Sequence, residues 1–343
     1  FFLSCNRNKK SLAIDLSCEK GQEIVRSIAA KCDVVIENFR VGTLARYGLD
    51  HDSLKRVNPA IIYCSITGFG QTGPAAAKPG YDGIFQAMGG MMSVSGHPEG
   101  EPGGGPMKVG ISVVDILTSY NATIALLAAL RHRDAGGGGQ AIDISLLDCG
   151  IASLSHFAEN YLITGEVPER RGNGGYGGIP SQAFACADRQ IFVVAGNDGQ
   201  YARLCKAIGR EDLLTDERFC TGPPRIANRK VIVPILEEVF RQKPAAHWID
   251  ALDAVGVPVS TVNTIAEVFE EEQVKARGLR IDAPHGEAGS VPLIANPLRF
   301  SETPVEQYAA PPGLGEHTDS VLGSFLGLDD AEIAALRAEG VVA

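Results

Sequence analysis

No Cys-x-x-Cys pair occurs among the eight cysteines, and no histidines cluster at metal-ligand spacing. The thiols at Cys5, Cys18, Cys32, Cys64, Cys149, Cys186, Cys205 and Cys220 are scattered, so the sequence reads as metal-free, with thiols kept reduced. The seven histidines suggest no triad, and His317 reads as a helix-start residue. A basic stripe is also missing. The net charge of −10 argues against a nucleic-acid partner, because phosphate backbones need clustered cations. An anionic small ligand stays compatible, provided local cations meet it against the overall field.

The chain shows no apolar run of bilayer-spanning length and no signal peptide, so no membrane partner is expected. The cytoplasm is the default compartment, with a mitochondrial leader left open. No methionine opens the chain: it starts Phe1-Phe2-Leu3, in the middle of a motif, and an N-terminal part is expected to be missing. Internal repeats are absent as well.

What is present is a 343-residue chain with 45% hydrophobic and 21% charged residues, enough for two domains. Strand-like runs at 11–16, 33–36, 60–67 and 141–146 alternate with helical periodicity at 19–31, 84–92 and 116–131. That alternation predicts βαβ units, hence an α/β fold with a parallel sheet. The apolar, β-branched stretch 109–114 also reads as strand-like. Glycine and proline crowd 166–180, which marks a boundary. The expected organisation is a large domain over 1–165, a linker or lid over 166–180, a small domain over 181–280, and a return to the large domain over 281–343.

Asp115 is the most informative position. It lies between the apolar run 109–114 and a long apolar helix, where helix N–H groups favour an ionised carboxylate. Such a carboxylate can attack a thioester, or it can simply be an N-cap. Asp143 and Asp148 are rivals without a glycine-rich or cationic neighbourhood. Glu37-Asn38-Phe39-Arg40, with Arg46 following, succeeds a strand, where open α/β sheets bind ligands; surface arginines are the plainer reading. Lys78-Pro79-Gly80-Tyr81-Asp82 is either a ligand-facing turn or a turn before a capped helix. The stretch Gly172 to Gly178 reads as a lid, a backbone cradle or a linker. It is no P-loop, since no Gly-Lys-Ser/Thr follows, and no Gly-x-Gly-x-x-Gly opens a helix after a strand.

Several strings together resemble the class III CoA-transferase family. They are Asn8 to Leu16, Val35 to Arg40, Gly68 to Pro74, Gly80-Tyr81-Asp82, Val114-Asp115, Gly139 to Asp143 and Leu314 to Thr318, in the family's order. The resemblance implies a Rossmann-like parallel-sheet large domain plus a smaller α+β domain, in an interlocked homodimer. It implies Asp115 as the nucleophile. It implies CoA over Ile14 and Asp15 and near Asn38, Phe39, Arg40 and Arg46, with Lys78, Tyr81 and Asp82 at the pocket. Gly174, Gly175, Gly177 and Gly178 would shield the acyl-aspartate. Coenzyme A is then a substrate, exchanged between two carboxylic acids, with succinyl-CoA the favoured donor and no further cofactor. The racemase branch resembles Gly-His-Asp where this chain has Gly80-Tyr81-Asp82; tyrosine's ordinary pKa near about 10 makes it a poor proton-exchange group, which favours transfer. A 2-methylacyl-CoA epimerase and a silent CoA-binding subunit are the alternatives.

Overall fold

A computed structural model describes residues 1–286 and 288–343. The chain divides into two compact units. The first comprises 1–91, 109–163 and 271–343; the second comprises 92–108 and 164–270. Residues 92–108, which the sequence reading runs through as part of one continuous large domain, thus cluster with the second unit.

After a single helical turn at Phe2–Cys5, the first unit continues with helix α1 (Glu19–Ala29), strand β1 (Val34–Glu37) and helix α2 (His51–Val57). Strand β2 (Ile62–Thr67) follows, then α3 (Asp82–Met88), the long helix α4 (Val113–Asp134), β3 (Ala141–Ser145), α5 (Leu146–Ala152) and α6 (His156–Thr164). The three strands form a parallel sheet in the order β1-β2-β3, with Val34 opposite Ile62 and Tyr63 opposite Ala141. The central strand carries Ile62, Tyr63 and Cys64 as an unbroken buried run, as a strand covered on both faces should. The turn into β3 needs Gly139, because a Cβ there would strike the backbone of Ala60 and Ile61.

Helix α4 packs on β2 and β3 through Val114, Thr118, Ala122 and Ala129, residues small enough for close approach. Its opposite face leaves Ile116, Tyr120, Ile124 and Leu127 exposed. At 22 residues it is long and apolar enough to cross a membrane, which corrects the expectation that no such run exists. Its contacts with the sheet, however, are those of a helix covering a β-layer.

Two predicted strands are not formed. Residues 11–16 make only the bridge between Ile14 and Val342, and 109–112 is irregular, with α4 already under way at Val113. β-Branched composition is insufficient where no neighbouring strand offers a ladder.

In the second unit, β4 (Ser181–Ala185) and β5 (Gln190–Val194) pair antiparallel. Helices α7 (Asp198–Ala207), α8 (Gly222–Ala227), α9 (Arg229–Phe240) and α10 (Ala245–Asp253) follow, and β6 (Val259–Thr261) completes the sheet. Phe184, Phe240 and Trp248 stack at the centre of its core. The chain then returns to the first unit through a hairpin, β7 (Arg280–His285) and β8 (Gly289–Ile294), and ends with helix α11 (Asp330–Ala338).

Arg225 is the largest fully buried side chain, an unusual place for a guanidinium. It donates to the carbonyls of Ile179 (2.9 Å) and Phe219 (2.7 Å), pairs with Asp198 (2.8 Å), and lies over the Tyr201 ring at 3.8 Å. Arg225→Met should remove about 2–4 kcal/mol of stability, because two buried carbonyls lose their donor. Urea unfolding checks this, and an unchanged midpoint would refute it.

Candidate active site

The C-terminal end of the parallel sheet gathers several of the first unit's candidate residues, Asn38, the Gly80-Tyr81-Asp82 turn and Asp115 among them. The Asn38 amide, just beyond β1, donates to the Ile66 carbonyl on β2 at 2.5 Å. Beyond β2, Gly68 lies against the Phe85 ring, and a Cβ on it would come within 3.7 Å of the Gly80 Cα. Gly80 itself touches that ring so closely that no side chain fits. This contact seats the Gly80-Tyr81-Asp82 turn at the end of the central strand. Asp143 on β3 accepts from the Gln71 N–H at 2.9 Å, which occupies that rival carboxylate in holding a loop. Asp148 is exposed in the first turn of α5, whose cap is the Ser145 hydroxyl.

Asp115 falls in the first turn of α4, not at its cap. The cap position is Ser112, whose side chain makes no capping bond. The capping acceptor comes instead from another helix. Asp82 Oδ2 accepts from the N–H groups of Val114 (2.8 Å) and Asp115 (3.2 Å). Its Oδ1 accepts from Gln86 Nε2 at 2.5 Å. Asp82 is only 8% exposed, and protein donors occupy both its oxygens. Asp82 thus anchors the start of α4 and does not cap its own helix, where Tyr81 occupies the cap position.

The electrostatics of Asp115 follow from that anchor. The helix N-terminus favours its ionised form. Burial among α4's neighbours opposes this, and so does the negative charge of Asp82, so its carboxyl stands above the usual aspartate range. The side chain is nonetheless open to solvent on the isolated chain. A carboxylate of raised basicity, accessible and fixed at its backbone, is chemically able to attack an activated acyl carbon.

The other predicted residues lie as follows. Phe39, Arg40, Arg46 and Lys78 are exposed, and Tyr81 is 81% exposed. Arg40, Arg46 and Lys78 form no ion pair among the described residues, and Arg46 donates only to the Thr43 hydroxyl at 3.4 Å. Ile14 and Asp15 sit against the chain's C-terminus, where the Asp15 N–H donates to the Val341 carbonyl at 2.9 Å. Asp15 accepts from the Ser17 N–H and hydroxyl, which hold its carboxyl below the usual range. No hydrogen bond or ion pair among the described residues joins these two to Asn38 or Asp115.

The glycine-rich loop belongs to the second unit. Arg229 donates to the Gly175 carbonyl at 2.7 Å and to Gln182 at 3.2 Å. A side chain at Gly174 would displace the Arg229 guanidinium, which occupies the space of a Cβ. Arg171 lies over the Tyr176 ring at 3.9 Å. Sequence reasoning missed these anchors, and it missed Gln86. A glutamine four residues after an aspartate, on an otherwise apolar helix, was the available signal.

The profile of CoA-transferase family III matches residues 1–318. The chain belongs to that family. Succinate–glutarate CoA-transferase of Agrobacterium fabrum is 40% identical over 95% of this chain and 80% of its own length. Human succinyl-CoA:glutarate CoA-transferase is 37% identical over 100% of this chain and 77% of its own. A crystal structure of a CaiB/BaiF family protein from Brucella suis superposes with a TM-score of 0.82 at 42% identity, covering 93% of this chain and 82% of that one. The α/β architecture with its parallel sheet is thus that of a class III CoA-transferase.

The Asp82 charge makes a testable difference. Asp82→Asn keeps an oxygen for the Val114 and Asp115 N–H groups but removes the repulsion. The Asp115 carboxyl should then titrate at lower pH than in the parent, by carbon NMR of labelled aspartate. An Asp115 midpoint that stays put or rises would refute the coupling.

Proposed function

We propose that this chain moves CoA between two short dicarboxylic acids, with succinyl-CoA as donor and glutarate as acceptor, through an aspartyl-CoA thioester on Asp115. The acid pair is supported by the names of the relatives above. The nucleophile is supported by one observation: an accessible carboxylate of raised basicity at the end of the central strand, its backbone N–H held by Asp82.

In the first step the Asp115 carboxylate attacks the succinyl carbonyl. The carbon–sulfur bond breaks, CoA leaves as the thiolate, and a mixed anhydride remains. The thiolate then attacks the aspartyl carbonyl, giving aspartyl-CoA thioester and free succinate. The acceptor carboxylate attacks that thioester, again displacing CoA thiolate and leaving an aspartyl–glutaryl anhydride. The returning thiolate takes the glutaryl group, and Asp115 leaves as the carboxylate it began as. No proton is gained or lost across the cycle. Activation comes from the thioester itself, and the anhydrides must be kept from water.

CoA recognition is assigned to the ends of the sheet. Arg40 and Arg46 are uncompensated cations suited to phosphates, and the exposed Phe39 ring offers a flat face. Asn38, Lys78 and Tyr81 line the approach, and Ile14 with Asp15 is kept as a CoA contact. Gly174, Gly175, Gly177 and Gly178 are assigned as a loop that keeps water from the acylated intermediate during turnover. A homodimer accounts for the apolar surface on the first unit, where Tyr120, Ile124, Leu127, Leu162 and Ile163 are all exposed.

Asp115→Ala should lower succinyl-CoA:glutarate exchange by at least about 10³-fold while leaving CoA affinity within about twofold. Isotope exchange and calorimetry measure the two quantities, and substantial residual exchange would remove Asp115 from the mechanism. Arg40→Ala together with Arg46→Ala should raise the KM for succinyl-CoA by about 10-fold or more, with kcat little changed. Equal KM values would detach that loop from CoA.

A further inference from the structure

Gln86 lies on α3 between Phe85 and Ala87 and is fully buried. Its amide works in three directions. Nε2 donates to Asp82 Oδ1 at 2.5 Å and to the Ile111 carbonyl at 3.3 Å, while Oε1 accepts from the Val109 N–H at 2.9 Å. Asp82, one turn earlier on the same helix, takes the N–H groups of Val114 and Asp115. One i,i+4 pair therefore holds the chain on both sides of the entry to α4. Val109 and Ile111 are held through the amide directly, and Val114 and Asp115 through the carboxylate.

We propose that Gln86 is a positioning residue for the aspartate nucleophile, locking Asp82 and the 109–111 segment into one frame that fixes the first turn of α4. This rests on the reading of Asp115 as nucleophile. Gln86 reaches that residue only through Asp82 and the backbone, so it acts on geometry and field, not on substrate. Small displacements matter here, because attack on an acyl carbon requires the oxygen at near-contact distance along a narrow approach. A buried network with its donors and acceptors matched is rigid, and one broken member leaves the others unsatisfied.

Helix α3 packs against α4 and α5. The titratable groups on those elements are Asp115, the exposed Tyr120 and, at the far end of α4, Arg131, His132, Arg133 and Asp134, with Asp148 and Cys149 on α5. Asp148 is exposed, and burial pushes the Cys149 thiol up so that it stays neutral in the working range. Lys108 precedes Val109 in the chain. The charged groups adjoining the Gln86 network are therefore Asp82, Asp115 and Lys108.

Two variants of the intact protein test the proposal, Gln86→Leu and Gln86→Glu. Each is assayed for kcat and KM with succinyl-CoA and glutarate, and for hydroxylamine trapping of acylated Asp115 after succinyl-CoA alone. Gln86→Leu should lower kcat and the trapping rate by about 10–100-fold, with the KM for succinyl-CoA within about twofold. Glutamate has the shape of glutamine, and only its protonated form can donate to Asp82. Gln86→Glu should therefore fall further behind the parent as pH rises from about 6 to about 8, by about tenfold in relative kcat. A plain packing role predicts a constant ratio. A flat Gln86→Glu ratio across that range overturns the proposal, even if Gln86→Leu fails to fold. So does a folded Gln86→Leu that is trapped at the parent's rate. If the parent itself is never trapped at Asp115, the nucleophile assignment falls first and takes this proposal with it, which distinguishes the two failures.

Discussion

The start of α4 depends on a carboxylate borrowed from another helix. Asp82 accepts the N–H groups that open α4, in place of a side chain at the Ser112 cap position. Because Asp82 sits just after the Gly80 turn, and Gly80 is pressed on Phe85 at the end of β2, the sheet, α3 and α4 are joined through a few residues. The arrangement gives Asp115 a fixed backbone and a nearby negative charge at once. The first restricts where its oxygens can point. The second, with burial, raises its basicity against the pull of the helix dipole.

Charge is distributed to match. The chain is acidic overall, and several arginines of the second unit are tied to neighbouring acids, as Arg210 is to Asp212 and Arg218 to Asp216. Arg40, in the loop after β1, and Arg46, in the 3-10 turn Leu44–Tyr47 that follows, lack such partners among the described residues. Uncompensated cations at the end of a parallel sheet are what a polyphosphate ligand needs in a protein whose general field repels it.

Much of this was legible in the sequence, for physical reasons that also explain the failures. β2 reads correctly because a central parallel strand is covered on both faces, and Ile62 to Cys64 form an unbroken buried apolar run. Residues 109–114 have similar composition but no strand beside them, so the same signal misleads. The hairpin β7–β8 escapes notice because Pro284 and Pro292 argue against strands, although a two-stranded hairpin has free edges that tolerate them. Asp115 could be singled out by type and position. That its partner would be Asp82, 33 residues earlier, could not be, because local spacing says nothing of which helices meet. Gln86 was hidden for the opposite reason: one amide in an apolar helix reads as noise until its three partners are seen.

The outer face of α4 places a thermodynamic condition on the N-terminal end of the same helix, which carries Asp115. Tyr120, Ile124 and Leu127 face water in the single chain, while Val114, Thr118 and Ala122 face the sheet. Whatever species shelters that wetted stripe contributes its binding free energy to keeping the helix seated, by mass action. If the shelter is a like chain, dilution loosens the rod that carries Asp115, and the specific rate per chain becomes a function of how many chains are present.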